Sequence, residues 1–243
     1  MDRRNHRAAA DYVRRHCIAS ALLPAAVGAS PEAIARLAKA GVAPQPTYRV
    51  TPTAVVSAIG QIGEIAPGEG AEDYFGIAVG PWLRRALVLA EQGEGSGLEA
   101  ALLDWLAGDL VAALDARAED ALAWGWAHLT RGGRFDRGAA REEVASHWHG
   151  WMVGGWAVCL RRFDGHHLAT KEIERRRIAH LTAGGDALSA NGRLALLDAM
   201  SRLDSVLLPF APHERPTGTP GLFIDEPVRR FGLPWPSFEG LAA

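Results

Sequence analysis

Two aspartates fall on the apolar faces of helices predicted from the sequence. Asp109 falls on the leucine-rich stripe of a predicted helix over 98–116, and Asp204 falls on the corresponding stripe of one over 192–208. A carboxylate in such a position is costly unless it is paired, hydrogen-bonded or protonated. Inward acids of this kind serve acid–base chemistry or metal binding, although buried Asp–Arg pairs that only fix helix register give the same pattern.

Five histidines lie within 147–180, close in the sequence to several arginines. His147 and His149 lie about 200° apart on one predicted helix, so a single metal ion does not reach both from a regular helix. On the helical projection, His149 falls on the apolar face between Trp156 and Leu160. His180 shares with Arg177 the face that should point to the core. Imidazole exchanges a proton near neutral pH, and a guanidinium neutralises an anionic substrate. We therefore predict catalytic roles for the three histidines with Asp109 or Asp204, and substrate binding by Arg177.

Tryptophan is abundant, with eight in 243 residues, and six of them lie within 105–156. Large rings with a polar N–H group line ligand pockets as readily as they fill cores. The sequence thus predicts a substrate cleft between helices with four tryptophans in its wall: Trp105, Trp148, Trp151 and Trp156.

Helices are the elements that position these side chains. Ser30-Pro31 and Thr51-Pro52 each place a capping oxygen before a proline at the first helical position, and no segment alternates apolar and polar residues for long. The sequence predicts helices over 6–22, 31–40, 52–65, 71–78, 81–92, 98–116, 118–131, 138–162, 170–183 and 192–208.

The predicted fold class is all-α, a compact bundle of about eight to ten helices. Seven prolines follow from Pro209 onward and interrupt any helix, yet the same segment carries apolar residues such as Trp235 and Phe238. We expect a helical bundle domain over 1–208 and an extended Pro-rich tail over 209–243 that wraps the bundle.

Composition excludes several classes of protein. The formal net charge of -2 provides no basic field for nucleic acid. No apolar run reaches the roughly 18 residues needed to cross a bilayer. Cys17 and Cys159 form no CxxC pair, so neither a disulfide framework nor a zinc site is indicated, and a cytoplasmic location fits. Every basic residue is arginine except Lys39 and Lys171, a bias typical of GC-rich genomes.

The common catalytic motifs are missing from the chain. It has no GxSxG elbow, no phosphate-binding loop, no HExxH and no acidic metal cluster, and we expect neither a cofactor nor a metal. The main hypothesis is a cofactor-independent enzyme that performs elimination, isomerisation or intramolecular cyclisation on a small anionic substrate. The composition suggests a place in bacterial natural-product biosynthesis, without any motif behind that interpretation.

Two alternatives stay open at this point. One is a carboxylate–histidine, di-iron type of helical enzyme, for which Glu143 and His147 form only a loose substitute for the usual Glu-x-x-His pair. The other is a non-catalytic protein that binds a ligand or a partner, with the Pro-rich tail as an interaction arm. A partner protein or a second copy of the chain is compatible with each hypothesis.

Overall fold

The computed structural model describes residues 3–93, 97–185 and 187–236. The protein is mostly helical, at 61% helix, which confirms that part of the prediction. It also contains a five-stranded antiparallel sheet and a two-stranded one, so the all-α class is wrong. None of the helices in the described ranges is long and apolar enough to span a membrane.

The helices follow the chain from end to end. They are α1 (Arg3–His16), α2 (Leu23–Val27), α3 (Pro31–Lys39), α4 (Val79–Glu91), α5 (Leu98–Asp115), α6 (Ala118–Ala123), α7 (Arg137–Met152), α8 (Gly155–Cys159), α9 (Gly165–Thr182), α10 (Ala190–Val206) and α11 (Glu226–Phe231). The predicted connector between α4 and α5 includes residues 94–96, which lie outside the described ranges.

The larger sheet lies in the N-terminal third of the chain. Its strands are β1 (Cys17–Ala19), β2 (Tyr48–Val50), β3 (Ala54–Ser57), β4 (Gln61–Gly63) and β5 (Glu72–Gly76), in the order β1-β5-β2-β3-β4. All four pairings are antiparallel, and α1 packs on the sheet. The smaller sheet pairs β6 (Thr130–Arg131) with β7 (Arg134–Phe135).

The helices predicted over 52–65 and 71–78 are therefore wrong, and Thr51 explains the first error. Its hydroxyl accepts the amide of Ala54 at 2.9 Å, as a helix cap would, but its own amide donates to the Ala54 carbonyl at 2.8 Å. These bonds close a tight turn between β2 and β3, with Pro52 at the position that a β-turn also favours. The same Thr-Pro signature thus serves a hairpin instead of a helix.

The C-terminal half is a helical bundle in which α5 packs between α7 and α9, and α9 packs on α10. Ser30 caps α3 and Asp164 caps α9, each accepting an amide three residues later. The first residue of α9, Gly165, lies against the backbone of Asp109, where a Cβ atom has no room. The helices α5 and α9 therefore approach closely at this point.

The helix predicted over 138–162 is broken at Gly154. This residue has a φ of 82°, in the left-handed region that favours glycine, and it separates α7 from α8. A Cβ there would also meet the Pro46 carbonyl oxygen at 3.0 Å. The break rotates the residues after it relative to those before it, so one helical projection does not describe both parts.

The segment after α10 folds back over the helices. Arg161 and Leu208 donate their amides to the carbonyls of Val206 and Cys159, and Phe210, Ile224 and other apolar side chains are buried in the core. A π-turn over Gly221–Asp225 leads into α11, so this segment is not extended throughout. Trp235 packs against the core, whereas 237–243, with Phe238, lie outside the described residues. The boundary at 208/209 stays a prediction.

Candidate functional site

A buried carboxylate, Glu214, connects the segment after α10 to the sheet. Its side chain is 2% exposed. The Tyr48 hydroxyl, on β2, donates a hydrogen bond of 2.6 Å to Oε2, and the Ser57 hydroxyl, at the end of β3, donates to Oε1. Each oxygen of this buried carboxylate therefore has a hydrogen-bond donor from the sheet. This arrangement joins residues that are more than 150 positions apart.

The Ser57 hydroxyl forms hydrogen bonds within the β3–β4 turn. Its Oγ atom accepts the amides of Ile59 and Gly60, each at 3.1 Å, while its proton goes to Glu214. At Gly60, a Cβ would meet the Glu214 Cγ atom at 3.0 Å, so the turn packs tightly against the carboxylate side chain. Ser57 therefore holds the carboxylate and does not present a free nucleophile.

The backbone around Glu214 is sharply bent. Phe210 has a φ of 67°, which is rare for a bulky side chain and occurs where surrounding contacts impose it, commonly at functional sites. Arg215 fastens the loop by donating to both carboxylate oxygens of Asp225 at 2.8 Å and to the Pro209 carbonyl at 2.8 Å. These bonds close the ends of the loop and hold Glu214 in place.

Three titratable groups near this carboxylate have pKa values shifted toward their neutral forms. Burial and then the charge of Glu214 raise the pKa of the Tyr48 hydroxyl well above its ordinary value. The same two causes raise the pKa of the Cys17 thiol to about 12. Burial lowers the pKa of His213, and the charge of Glu214 opposes this shift. The His213 Nε2 atom lies 3.8 Å from the Glu214 Oε1 atom. Tyr48, Cys17 and His213 thus add no charge beside Glu214 at neutral pH.

Glu214 opens onto a cleft of about 570 Å³. Its volume is typical of sites for small molecules. The walls come from the β3–β4 turn, α7, α8, α9 and the segment after α10. The lining residues used below are Ile59, Trp156, Cys159, Lys171, Arg175, Glu214, Leu222 and Phe223.

The α9 wall of the cleft carries two cations one turn apart. The Lys171 ammonium lies 3.9 Å from the Trp156 ring centroid and 3.8 Å from an oxygen of Glu172. Arg175 donates to Glu172 at 2.9 Å and lies over the Phe223 ring, while its Nε atom is buried without a hydrogen-bond partner in the described residues. Two cations therefore face one carboxylate on this wall, which favours an anionic ligand.

The predicted inward orientation is wrong for three of the site residues. His149, His180 and Asp204 are exposed. The projection of His149 used residues beyond the Gly154 break, and His180 lies against the Trp124 ring at 5.2 Å. For Asp204, the buried stripe of α10 runs through Leu196, Ala199, Met200 and Leu203, and Leu197 is only partly buried.

The structure explains the remaining predicted polar residues as parts of the scaffold. Asp109 is half-buried and accepts the Gly165 amide at 2.7 Å, at the close contact between α5 and α9. Arg177 pairs with Asp198 at 3.1 Å and with buried Glu174 at 3.7 Å. In the described chain, none of the predicted catalytic residues forms a hydrogen bond or ion pair with another. Their catalytic roles stay predictions.

His147 lies beside Glu143, at 3.4 Å, and against the edge of the Trp156 ring. The other side of Glu143 faces His128 at 3.2 Å. Even so, the ranges that the structure describes contain no group of three or more His, Cys, Asp or Glu side chains placed to hold a metal ion. The di-iron interpretation therefore lacks a ligand set in that part of the chain.

Of the four tryptophans predicted to line the site, Trp156 lines this cleft. Trp151 is fully buried and stacks on Phe163 at 4.2 Å. Trp105 and Trp148 pack against Trp82, at 6.1 and 5.6 Å between ring centroids. These three rings belong to an aromatic core cluster around Trp82.

The sequence interpretation missed Glu214 and Lys171. Glu214 lies in a segment without helical periodicity, so no projection could place it. Lys171 had one signal, because it is one of two lysines among 26 basic residues. A GC-rich genome explains the same bias toward arginine, so the bias alone does not identify Lys171 as a site residue.

Fold and cleft together define a mostly helical protein with a small antiparallel sheet and a cleft between the two parts. Residues 105–232 match a family described as "Family of unknown function (DUF6058)". Since this range is more than half of the chain, the protein belongs to that family. No curated protein and no solved structure matches the chain. The matched range contains Lys171, Arg175 and Glu214, whereas Tyr48 and Ser57 lie outside it.

Proposed function

We propose that the protein is an enzyme that performs acid–base chemistry on a small anionic substrate in the Glu214 cleft. The observation that carries this proposal is that the Glu214 carboxylate, only 2% exposed, lines the same cleft as the cations Lys171 and Arg175. A buried, oriented carboxylate is suited to accept and return a proton. Elimination, isomerisation and cyclisation all need such a transfer.

The walls of the cleft support separate roles for its residues. Lys171 and Arg175 bind the anionic group, and Glu214 transfers the proton. The exposed apolar side chains of Ile59 and Leu222 contact the uncharged part of the substrate. Tyr48 and Ser57 are positioning residues, since they hold both oxygens of Glu214 and do not line the cleft.

Deuterium exchange tests the proposal without knowledge of the natural substrate. Small carboxylates, oxo acids and phosphate esters are incubated with the protein in D₂O, and proton NMR follows both loss of C–H signals and new products. We expect at least one compound to exchange with the wild type. Glu214→Gln should slow that exchange about 100-fold or more, and Glu214→Asp, which keeps the charge, should retain part of it.

A second candidate is a protein that binds the same anions without turnover. It is favoured by one observation, that both oxygens of Glu214 already accept hydrogen bonds from the sheet, as in a purely structural contact. Thermal-shift measurements with the same panel of compounds distinguish the binding protein from the enzyme. Stabilisation by an anion without exchange or product formation for any compound supports the binding protein and contradicts the enzyme.

A further inference from the structure

The choice of lysine at position 171 stands out against the rest of the chain. Among 26 Lys and Arg residues, only Lys39 and Lys171 are lysines. Lys39 is exposed, whereas Lys171 is 7% exposed and lines the cleft. Arginine supplies a permanent cation and binds carboxylates in two-pronged fashion, but its guanidinium is not a nucleophile. A primary amine at this one position offers a chemistry that the arginines do not.

The surroundings of Lys171 leave its amine available to a ligand. Within the described residues, the Nζ atom contacts the face of Trp156 and lies 3.8 Å from a Glu172 oxygen, too far for a hydrogen bond. Glu172 instead bonds Arg175 through both of its oxygens, at 2.9 and 3.0 Å. The amine is thus oriented by an aromatic ring and is not held by a strong acceptor.

We propose that Lys171 forms an imine with the carbonyl group of an anionic substrate, of the 2-oxo acid class. The inference rests on the proposed function, since it names the substrate class of the same cleft. Arg175, one turn along α9, lines the same cleft and binds the carboxylate of the oxo acid. The Trp156 ring positions the Lys171 Nζ atom for attack on the carbonyl carbon of the substrate.

The step balances without any further reagent. The ammonium of Lys171 gives one proton to a base in the cleft, and the nitrogen lone pair attacks the carbonyl carbon. The carbonyl π pair passes to oxygen, which takes a proton to give a carbinolamine. A second proton of the nitrogen then passes to the hydroxyl group, and the C–O bond breaks with its electron pair leaving on oxygen as water. The nitrogen lone pair forms the C=N bond, so that ammonium and carbonyl become a protonated imine and one water molecule.

A protonated imine draws electrons from the neighbouring carbon and makes its C–H bond more acidic. Proton removal there by Glu214, on the same cleft, gives an enamine that is protonated again or that expels a leaving group. This chemistry accounts for isomerisation or elimination with groups supplied by the chain itself.

Borohydride trapping tests the proposal on the full chain. Glyoxylate or pyruvate serves as the probe, and sodium cyanoborohydride reduces any imine to a stable secondary amine that peptide mass spectrometry locates. We expect saturable modification of buried Lys171 in clear excess over exposed Lys39. Lactate, which has the carboxylate but no carbonyl, should suppress the modification by competition.

Two variants complete the test. Lys171→Arg keeps the cation over Trp156 and should lose the adduct while the folded state, followed by circular dichroism and melting temperature, is retained. Lys39→Arg is the matched control and should trap as much probe at position 171 as the wild type. Modification of Lys171 no greater than that of Lys39, or none, overturns the imine.

The outcomes also separate this inference from the proposed function. Deuterium exchange that depends on Glu214 and persists in Lys171→Arg contradicts the imine but leaves acid–base chemistry in the cleft intact. Trapping at Lys171 with exchange that is unaffected by Glu214→Gln supports the imine and contradicts the role of Glu214.

Discussion

The aromatic cluster around Trp82 and the cleft at Glu214 are both rich in rings and buried polar atoms, yet they differ in what those atoms can do. In the cluster, rings pack on rings, and the Trp82 indole donates to the Val42 carbonyl at 2.8 Å. In the cleft, a carboxylate and two cations line an open space. A density of aromatic residues therefore marks the core here, and a buried charge beside a cavity marks the proposed site.

The largest effect expected from this contrast is on stability. Trp151→Ala should lower the free energy of unfolding by about 3–5 kcal/mol, because it removes a fully buried ring from the cluster. Trp156→Ala, which removes a partly exposed ring from the cleft wall, should cost about 1–2 kcal/mol. Urea denaturation measures both. Equal losses would contradict the assignment of one ring to the core and the other to the site.

The next effect concerns the fastening of Glu214 to the sheet. Tyr48→Phe leaves a buried carboxylate oxygen without its donor and should cost about 1–3 kcal/mol. Tyr74, on the neighbouring strand, makes a hydrogen bond of the same 2.6 Å length to exposed Glu72 and is the matched control. Its replacement by Phe should cost about 1 kcal/mol or less. A larger loss for Tyr74→Phe would contradict the account.

A smaller effect should follow from pH. Because burial lowers the pKa of His213, the folded protein takes up that proton less readily than the unfolded chain. The contribution of neutral His213 to the free energy of unfolding is fully present above its unfolded-state pKa of about 6.5 and is lost as pH falls through its lower folded-state pKa. Between the two pKa values, the loss is about 1.4 kcal/mol per pH unit. His213→Gln should therefore lose less stability than the wild type between about pH 7 and pH 5. Identical pH profiles from chemical denaturation would refute this.

The smallest effects are expected at the exposed histidines. His149→Gln and His180→Gln should each change stability by no more than about 0.5 kcal/mol, because neither side chain is buried. Binding of anions, followed by thermal shift, should be unchanged in both. A loss of anion binding in either variant would contradict the cleft at Glu214 and support the histidine site predicted from the sequence.

Caps and apolar periodicity in the sequence predict several helices correctly, but they do not predict the short strands. Helix α3 lies where the Ser30-Pro31 cap placed it, and α5 and α10 lie close to where apolar periodicity placed them. The strands have three to five residues in the larger sheet, too few to show alternation, and Thr51-Pro52 suits a turn as well as a helix start. Local patterns therefore could not reveal this sheet.

The site was harder to predict because its residues are brought together by tertiary contacts. Tyr48, Ser57 and Glu214 meet across more than 150 positions, and Glu214 lies in a loop whose bend depends on Arg215. The helical projection failed where a single glycine broke the helix. Asp109, expected on an inward helix face, is half-buried, and its partner is the backbone of α9 and not a histidine.

The most direct test compares deuterium exchange in two variants of the same folded protein. With the best substrate of the anion panel, we expect Glu214→Gln to lose about 100-fold or more of the exchange rate, while His149→Gln exchanges at the wild-type rate. Unchanged exchange in Glu214→Gln, together with a large loss in His149→Gln, would contradict the central claim that the cleft at Glu214 is the functional site.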